Sequence, residues 1–135
     1  MIIANKYDDI LESNEKRIAF IITTKCKGVN DSGFVEKIMK TAWPELKNIE
    51  SINLGSILTK KKNGKEYIAI CCCLEDGYTI EKKVVKECFD AIPGDEPVAT
   101  LLIGRSVAAM LTGRPDFNLI KAGMEDSKKK IILYY

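Results

Sequence analysis

Short apolar runs alternate along this chain with segments of helical periodicity, and this alternation restricts the fold more than any other feature. The strand-type runs are rich in apolar and β-branched residues and cover 17–24, 52–60, 65–74, 98–103 and 129–135. The helix-type segments have apolar residues on one stripe and cover 32–43, 79–92 and 115–126. Strands that alternate with helices in this way favour an α/β domain around a mixed sheet.

Local signals define several of these elements. Asn63-Gly64 separates two strand-type runs and is a strong signal for a tight hairpin. Ser32 and Thr79 stand where the first two helices need N-caps, and Pro115 suits the first turn of the third helix. The sequence therefore predicts a hairpin within an otherwise alternating strand–helix order.

Length and charge limit the classes of partner. The chain has 135 residues and a formal net charge of +2, which suits one domain and gives no reason to expect nucleic acid as a partner. The lysine-rich stretch "TKKKNGK" is interpreted as a solvated hairpin tip. No apolar run approaches the ~20 residues of a membrane span, and no signal peptide is evident. We therefore predict a cytoplasmic protein without a membrane partner.

The cysteine and histidine content excludes some chemistry. There is no histidine, so a histidine-based triad is excluded and a metal site is not expected. Cys71, Cys72 and Cys73 are consecutive, which is not a disulfide framework. Because side chains alternate along a strand, either Cys71 and Cys73 or Cys72 alone are expected to point inward.

Two glycine-containing loops follow predicted strands. The first is 25–34, with Gly28 and Gly33, and the second is 104–113, which begins with Gly104, Arg105 and Ser106. Backbone N–H groups in such turns, next to a helix N-terminus, can hold an anion, although turn geometry alone also calls for glycine. Because ligands bind beyond the carboxyl ends of strands, we expect strands 17–23 and 98–103 to be adjacent, with both loops at one end of the sheet.

The order and spacing of the motifs resemble the macro domain family. The matching stretches are "YDDILESNEKRIAFIITTK", "MKTAWPEL", "LGSILTKKKNGKEYIAI", "VATLLIGRSVAA" and "KIILYY". The resemblance is nearest to small divergent members that remove ADP-ribose from proteins. It implies one macro-like domain over 1–135 with a three-layer α/β/α fold and a mixed central sheet. It also implies ADP-ribose or an ADP-ribosylated protein as the partner, and no cofactor.

The resemblance assigns an adenine site to residues near both chain ends. Asp9 and Ile10 match the family's early Asp-Ile pair, in which the carboxylate accepts from the adenine amino group and the next N–H supports the ring. Tyr134 matches the aromatic position against adenine. The alternatives are that Asp9 caps a turn and that Tyr134 is a core residue.

The phosphate loops depart from the family pattern. Gly104 is kept, but Ser106 replaces the second glycine of the usual Gly-x-Gly. In the first loop Gly33 is kept, but Asp31 and Ser32 depart from the usual glycines; Asp31 would repel a diphosphate and Phe34 would restrict its approach. Gly28, Ser32 and Gly33 are nevertheless the residues of this loop expected to hold the diphosphate. Arg105 is a compensating cation, and Thr23 stands where the family often has an asparagine near the ribose.

The catalytic groups of the hydrolytic relatives are not evident. Those relatives use a lysine after the hairpin strand and an aspartate in the second loop, where this chain has "CCC" and "SVAA". The sequence is therefore compatible with binding alone and with an ADP-ribosyl hydrolase that positions water. A third alternative is a degenerate macro fold without a nucleotide site, used for protein–protein interaction.

Overall fold

A computed structural model describes residues 1–28, 33–75, 79–102 and 115–135, with the backbone alone at 115–117. The strands within these ranges are β1 Ile2–Lys6, β2 Arg17–Thr23, β3 Ile57–Lys62, β4 Lys65–Cys73, β5 Val98–Leu101 and β6 Ile131–Tyr134. The α-helices are α1 Phe34–Thr41, α2 Lys82–Asp90 and α3 Pro115–Asp126, and 3₁₀ segments cover Ile10–Glu12 and Pro44–Asn48.

The six described strands form one mixed sheet in the order β1-β6-β5-β2-β4-β3. All neighbouring pairs are parallel except β3 and β4, so β3 is an antiparallel edge strand. β2 pairs with β5 through Ile18 opposite Ala99 and Ala19 opposite Thr100. The predicted adjacency of these two strands is therefore confirmed.

Helical layers cover both faces of the sheet. On one face, Phe20, Cys71 and Tyr134 pack against α1 and the two 3₁₀ segments. On the other, Ile70 and Leu133 pack against apolar residues of α2 and α3. The three-layer α/β/α prediction is therefore confirmed. Among the described helices, none is long and apolar enough to cross a lipid bilayer.

β1 is absent from the sequence prediction because its pattern is weak. The strand carries isoleucine at positions 2 and 3, followed by Ala4, Asn5 and Lys6. It lies at the edge of the sheet, pairs only with β6, and none of its residues is fully buried. An edge strand needs little apolar character, because much of its surface faces water.

The hairpin prediction is confirmed in detail. β3 and β4 pair in antiparallel register up to Lys62 opposite Lys65. Asn63 and Gly64 both have positive φ, at 51° and 79°. Two-residue hairpin turns of this kind require positive φ at both positions, which asparagine and glycine tolerate best.

The predicted cap of the second helix is wrong. Helix α2 begins at Lys82 with Glu81 as its N-cap, two residues beyond Thr79. Ile80 forms an isolated antiparallel bridge with Cys73, so the chain is still extended at that point. For α1 the N-cap is Gly33, with φ of 89°, and Ser32 lies outside the described residues.

All five cysteines are buried, which corrects the expectation that only one side of the triplet points inward. β4 is an interior strand with helices over both faces, so Cys71 packs on the α1 side while Cys72 packs on the α2 side. A register irregularity places Ile22 opposite Cys71 and Thr23 opposite Cys73. Cys73 consequently also packs on the α2 side.

The native thiols are expected to resist alkylation. Burial raises the pKa of Cys71 to about 11 and that of Cys88 to about 12, and it raises the pKa of Cys72 well above its usual range. Because the thiolate is the reactive form, labelling by a maleimide at pH 8 should be at least ~100-fold slower in the folded chain than in urea. Mass spectrometry of timed samples measures this ratio, and rapid labelling of any cysteine in the folded chain would contradict the buried placement.

Candidate functional site

The carboxyl ends of five parallel strands lie at one edge of the sheet. Lys6 of β1 is opposite Tyr134 of β6, which is opposite Leu101 of β5, and Thr23 of β2 is opposite Cys73 of β4. The described residues that leave these ends are therefore brought together, including the start of the first predicted loop, while 104–113 lies outside the described residues. Ligands of open α/β sheets bind at this edge, so we define it as the candidate site.

Thr23 organises the turn that follows β2. Its hydroxyl oxygen accepts from the backbone N–H groups of Lys25 and Lys27, at 3.2 and 3.4 Å, and its own N–H donates to the Lys27 carbonyl at 2.8 Å. Cys26 takes a positive φ of 57°, and Gly28 returns to bridge with Ile22. Thr23 is buried, so it stabilises this turn from the protein interior, whereas Gly28 is exposed to solvent.

Gly33 is the N-cap of α1 and takes a left-handed conformation that favours glycine. Helix α1 therefore begins at this edge, where its N-terminal dipole favours negative charge. Phe34 is 7% exposed and packs into the core beneath the sheet. Its side chain does not occupy the approach to the loop, which corrects the expectation of steric obstruction by Phe34.

Asp9 caps the 3₁₀ segment that follows β1. Its Oδ1 accepts from the Leu11 N–H at 2.9 Å, as expected for the capping alternative. Asp9 is exposed, and a carboxylate has a second oxygen that can accept another bond. Ile10 is 2% exposed and belongs to the core, so only its backbone is suited to ligand contact.

Tyr134 is a buried residue of β6, with an exposure of 2%. Its hydroxyl donates to Glu15 Oε1 at 2.8 Å, and Lys6 Nζ lies 3.2 Å from the same oxygen. Burial and the hydrogen bond with Glu15 raise the pKa of Tyr134. The Tyr134 ring therefore ties β6 to the segment after β1 and presents no free face at this edge.

A pair of aromatic rings at this edge was missed in the sequence. Tyr7 and Tyr135 stack with centroids 5.2 Å apart and an interplanar angle of 17°, and Tyr7 is 74% exposed. Lys121 Nζ lies 5.9 Å from the centre of the Tyr135 ring. The signal available in the sequence was a tyrosine directly after each of two strands that end at the same edge.

A lysine-lined depression of about 570 Å³ lies beside the first loop. Among its described lining residues are Lys25, Lys27 and Lys47 and the carboxylate Glu36. Lys25 is only weakly compensated, because Glu75 approaches it no closer than 4.0 Å. The excess of positive charge makes this part of the edge favourable to an anion.

Several predicted site residues lie outside the described residues. They are Asp31, Ser32, Gly104, Arg105 and Ser106. Among the described residues, no group of three acidic or cysteine side chains is arranged to hold a metal ion. Of the predicted site residues that are described, the structure brings Asp9, Gly28 and Gly33 to the same edge as exposed or half-exposed groups.

Comparison with known proteins gives matches in structure alone. No family profile and no curated protein matches the sequence. The macrodomain of Thermus aquaticus DarG superposes with a TM-score of 0.61 at 11% identity, over 100% of this chain and 97% of that one. The macrodomain of Mycobacterium tuberculosis DarG gives 0.58 at 11%, over 99% and 97%.

A viral protein is similar over part of its length. An alphavirus structure named "P23pro-zbd" superposes with a TM-score of 0.61 at 15% identity, over 97% of this chain and 21% of the viral chain. The present chain thus spans about a fifth of that protein. At such low identity these superpositions establish the fold and not the activity, and they show that the chain has the macrodomain fold that its motifs resemble.

Proposed function

We propose that residues 1–135 form one macro-like domain that binds ADP-ribose or a related nucleotide at the carboxyl edge of the sheet. The observation that carries this proposal is the convergence of the Asp9 turn, the Gly28 turn and the Gly33 helix start at that edge. The macrodomain fold and the family resemblance of the motifs support ADP-ribose as the ligand class.

The adenine end of the proposed site lies between the turn after β1 and the end of β6. The second carboxylate oxygen of Asp9 accepts from the adenine amino group, and the Ile10 N–H supports the ring. The Tyr7–Tyr135 stack gives an exposed aromatic surface on which a base can pack. Tyr135 therefore takes the stacking role that the resemblance assigns to Tyr134, whose ring is buried against the core.

The diphosphate end is proposed to lie between the two loops. Backbone N–H groups near Gly28, Ser32 and Gly33 would bind one phosphate, and Gly104, Arg105 and Ser106 would bind the other phosphate and the distal ribose. Lys25 and Lys27 supply positive charge beside the first loop. Thr23 contributes by holding that loop through its hydroxyl.

The cysteine triplet bears on the choice between binding and hydrolysis. The family's catalytic lysine follows the hairpin strand, but Cys71, Cys72 and Cys73 are fully buried at the end of that strand. A hydrolytic reaction in this chain would therefore use positioned water and not that lysine. Binding of ADP-ribose or an ADP-ribosylated protein, in a cytoplasmic setting, is the function that the site supports best.

Calorimetry with ADP-ribose tests the proposal. We expect saturable binding with a dissociation constant below about 1 mM, which corresponds to about −4 kcal/mol. ADP-ribosylated protein, incubated with the chain and analysed for released ADP-ribose, separates binding from hydrolysis. No heat of binding at millimolar ADP-ribose would favour the alternative, a degenerate macro fold used for protein–protein interaction.

A further inference from the structure

The opposite edge of the sheet, where β2 and β4 begin, carries several lysines that the strand register brings together. Arg17 of β2 is opposite Glu66 of β4, which is opposite Lys61 of β3. One residue further out, Lys62 of β3 is directly opposite Lys65 of β4, and the carbonyl of Lys16, just before β2, accepts from the Glu66 N–H at 2.7 Å. We call these three lysines the lysine row.

No carboxylate of the described residues forms an ion pair with the lysine row. Lys65 Nζ donates to the Ser13 carbonyl at 3.0 Å and Lys62 Nζ to the Thr41 carbonyl at 2.7 Å, and both acceptors are neutral. In the described part of the chain, neither of these lysines nor Lys16 forms an ion pair. Like charges opposite each other on neighbouring strands are destabilising, so repulsion among these lysines lowers the stability of the folded chain.

A depression of about 650 Å³ adjoins the lysine row. Arg17 and Lys61 join the three lysines in its lining, against the carboxylates Glu66 and Glu96. The described lining thus carries five cations against two carboxylates, and Glu66 accepts from Arg17 Nε at 2.8 Å. An anion in this depression would therefore meet net positive charge.

We propose that this depression binds the phosphate backbone of a nucleic-acid strand. Neighbouring strands are about 4.8 Å apart, so the row spans about 10 Å. A row of that length offers cations to more than one phosphate of a strand. The described lining residues include no aromatic side chain on which a base could stack, so the contacts would be to phosphates and independent of base sequence.

The net charge of +2 gave no reason to expect this partner, because the positive charge is local. In the sequence, "TKKKNGK" appears as a solvated hairpin tip, and Lys16 is 45 residues from Lys61 along the chain. The parallel pairing of β2 with β4 brings Lys16 beside the hairpin. The concave shape suits a strand better than a flat bilayer surface, because Arg17 forms part of the recessed lining.

Fluorescence anisotropy with a labelled 20-nucleotide single strand of mixed sequence tests this proposal. With three to four phosphate contacts, binding by the full chain should weaken about 20- to 50-fold between 50 and 200 mM NaCl. The variant Lys16→Gln/Lys61→Gln/Lys62→Gln should lose at least about tenfold in affinity at 50 mM and about 2 units of the logarithmic salt slope.

The matched control is Lys37→Gln/Lys40→Gln/Lys128→Gln, which removes the same charge from exposed positions elsewhere. It should bind within about twofold of the parent chain. Equal loss in both triple variants, or no binding by the parent at 50 mM NaCl, would overturn the proposal. Photo-crosslinking gives a second readout on the parent chain, and attachment of the oligonucleotide to peptides outside 16–17 and 60–66 would also overturn it.

Two further arms distinguish the source of the phosphate. Full displacement of the oligonucleotide by equimolar pyrophosphate would overturn the strand proposal in favour of a small phosphate ligand. Binding to phosphatidylserine vesicles, lost in the first triple variant, together with no oligonucleotide binding, would overturn it in favour of a lipid surface. ADP-ribose binding by the first triple variant is expected to be unchanged, because the two edges of the sheet are separate.

Discussion

Asp9→Asn is expected to weaken ADP-ribose binding by about 1.5–3 kcal/mol, the range for a hydrogen bond that involves a charged group. This corresponds to roughly 10- to 150-fold in the dissociation constant. The asparagine oxygen can still accept from the Leu11 N–H and cap the 3₁₀ segment. Its amide nitrogen would face the adenine amino group, donor against donor, so the base contact alone is lost.

Calorimetry with ADP-ribose and with ribose 5-phosphate measures this effect and supplies its control. Ribose 5-phosphate has no base, so its affinity should be unchanged in Asp9→Asn. Asp9→Ala should lose the base contact and, in addition, about 1 kcal/mol of stability through the missing cap. Equal losses for both ligands in Asp9→Asn would show that Asp9 supports the fold and does not contact the base.

Gly123→Ala is expected to destabilise the fold by about 2 kcal/mol, within the range for overpacking a well-packed contact. Gly123 lies on α3 where that helix crosses α2. A Cβ at this position would stand 2.6 Å from Val85 Cβ, 2.7 Å from Val85 Cγ1 and 2.9 Å from the Lys82 carbonyl oxygen. Val85 Cβ and the Lys82 carbonyl oxygen cannot move aside by rotation of a side chain, so the helices must separate to admit the methyl group.

Whether Gly123→Ala lowers or raises the free energy of unfolding shows whether the contact between the helices is tight at this position. In an unhindered helix interior, replacing glycine with alanine stabilises by about 1 kcal/mol. Urea denaturation gives the free energy of unfolding, and a melting temperature lower by roughly 5–10 °C should accompany the loss. Glu125→Ala, on the exposed side of the same helix, should change stability by less than about 0.5 kcal/mol.

A double variant tests whether Val85 is the obstacle. Val85→Ala removes Cγ1, so Gly123→Ala should cost less in that background than in the parent chain. Additive losses would mean that the two side chains do not oppose each other. A stabilising Gly123→Ala would mean that α2 and α3 separate at little cost.

Much of the fold was predictable because its signals are local. The apolar run at 17–24, the Asn63-Gly64 turn and Pro115 at the start of α3 each specify an element within a few residues. The errors fall where a distant partner decides. The bridge between Ile80 and Cys73 delays the start of α2, and pairing with β6 makes a strand of the weakly patterned β1.

The candidate site was predicted unevenly. Gly28 and Gly33 were identified from loop composition and lie at the expected edge of the sheet. Phe34 was expected to obstruct that loop, but its ring packs in the core because it faces the sheet from the first turn of α1. Tyr134 was assigned to adenine with a core position as the alternative, and it is buried because the segment after β1 lies over it and supplies Glu15.

Local sequence therefore specified the strands, the helices, the hairpin turn and the glycine positions, because period, turn chemistry and capping act within about one turn or one strand pair. Which side chains are buried and which face water was decided only by the tertiary structure. Cys71 and Cys72 are both buried because β4 has helices on both sides, and Tyr135 is stacked beside Tyr7 because β1 pairs with β6. Lys16 joins the lysines of the hairpin for the same reason, since strand register brings distant residues together that no local pattern connects.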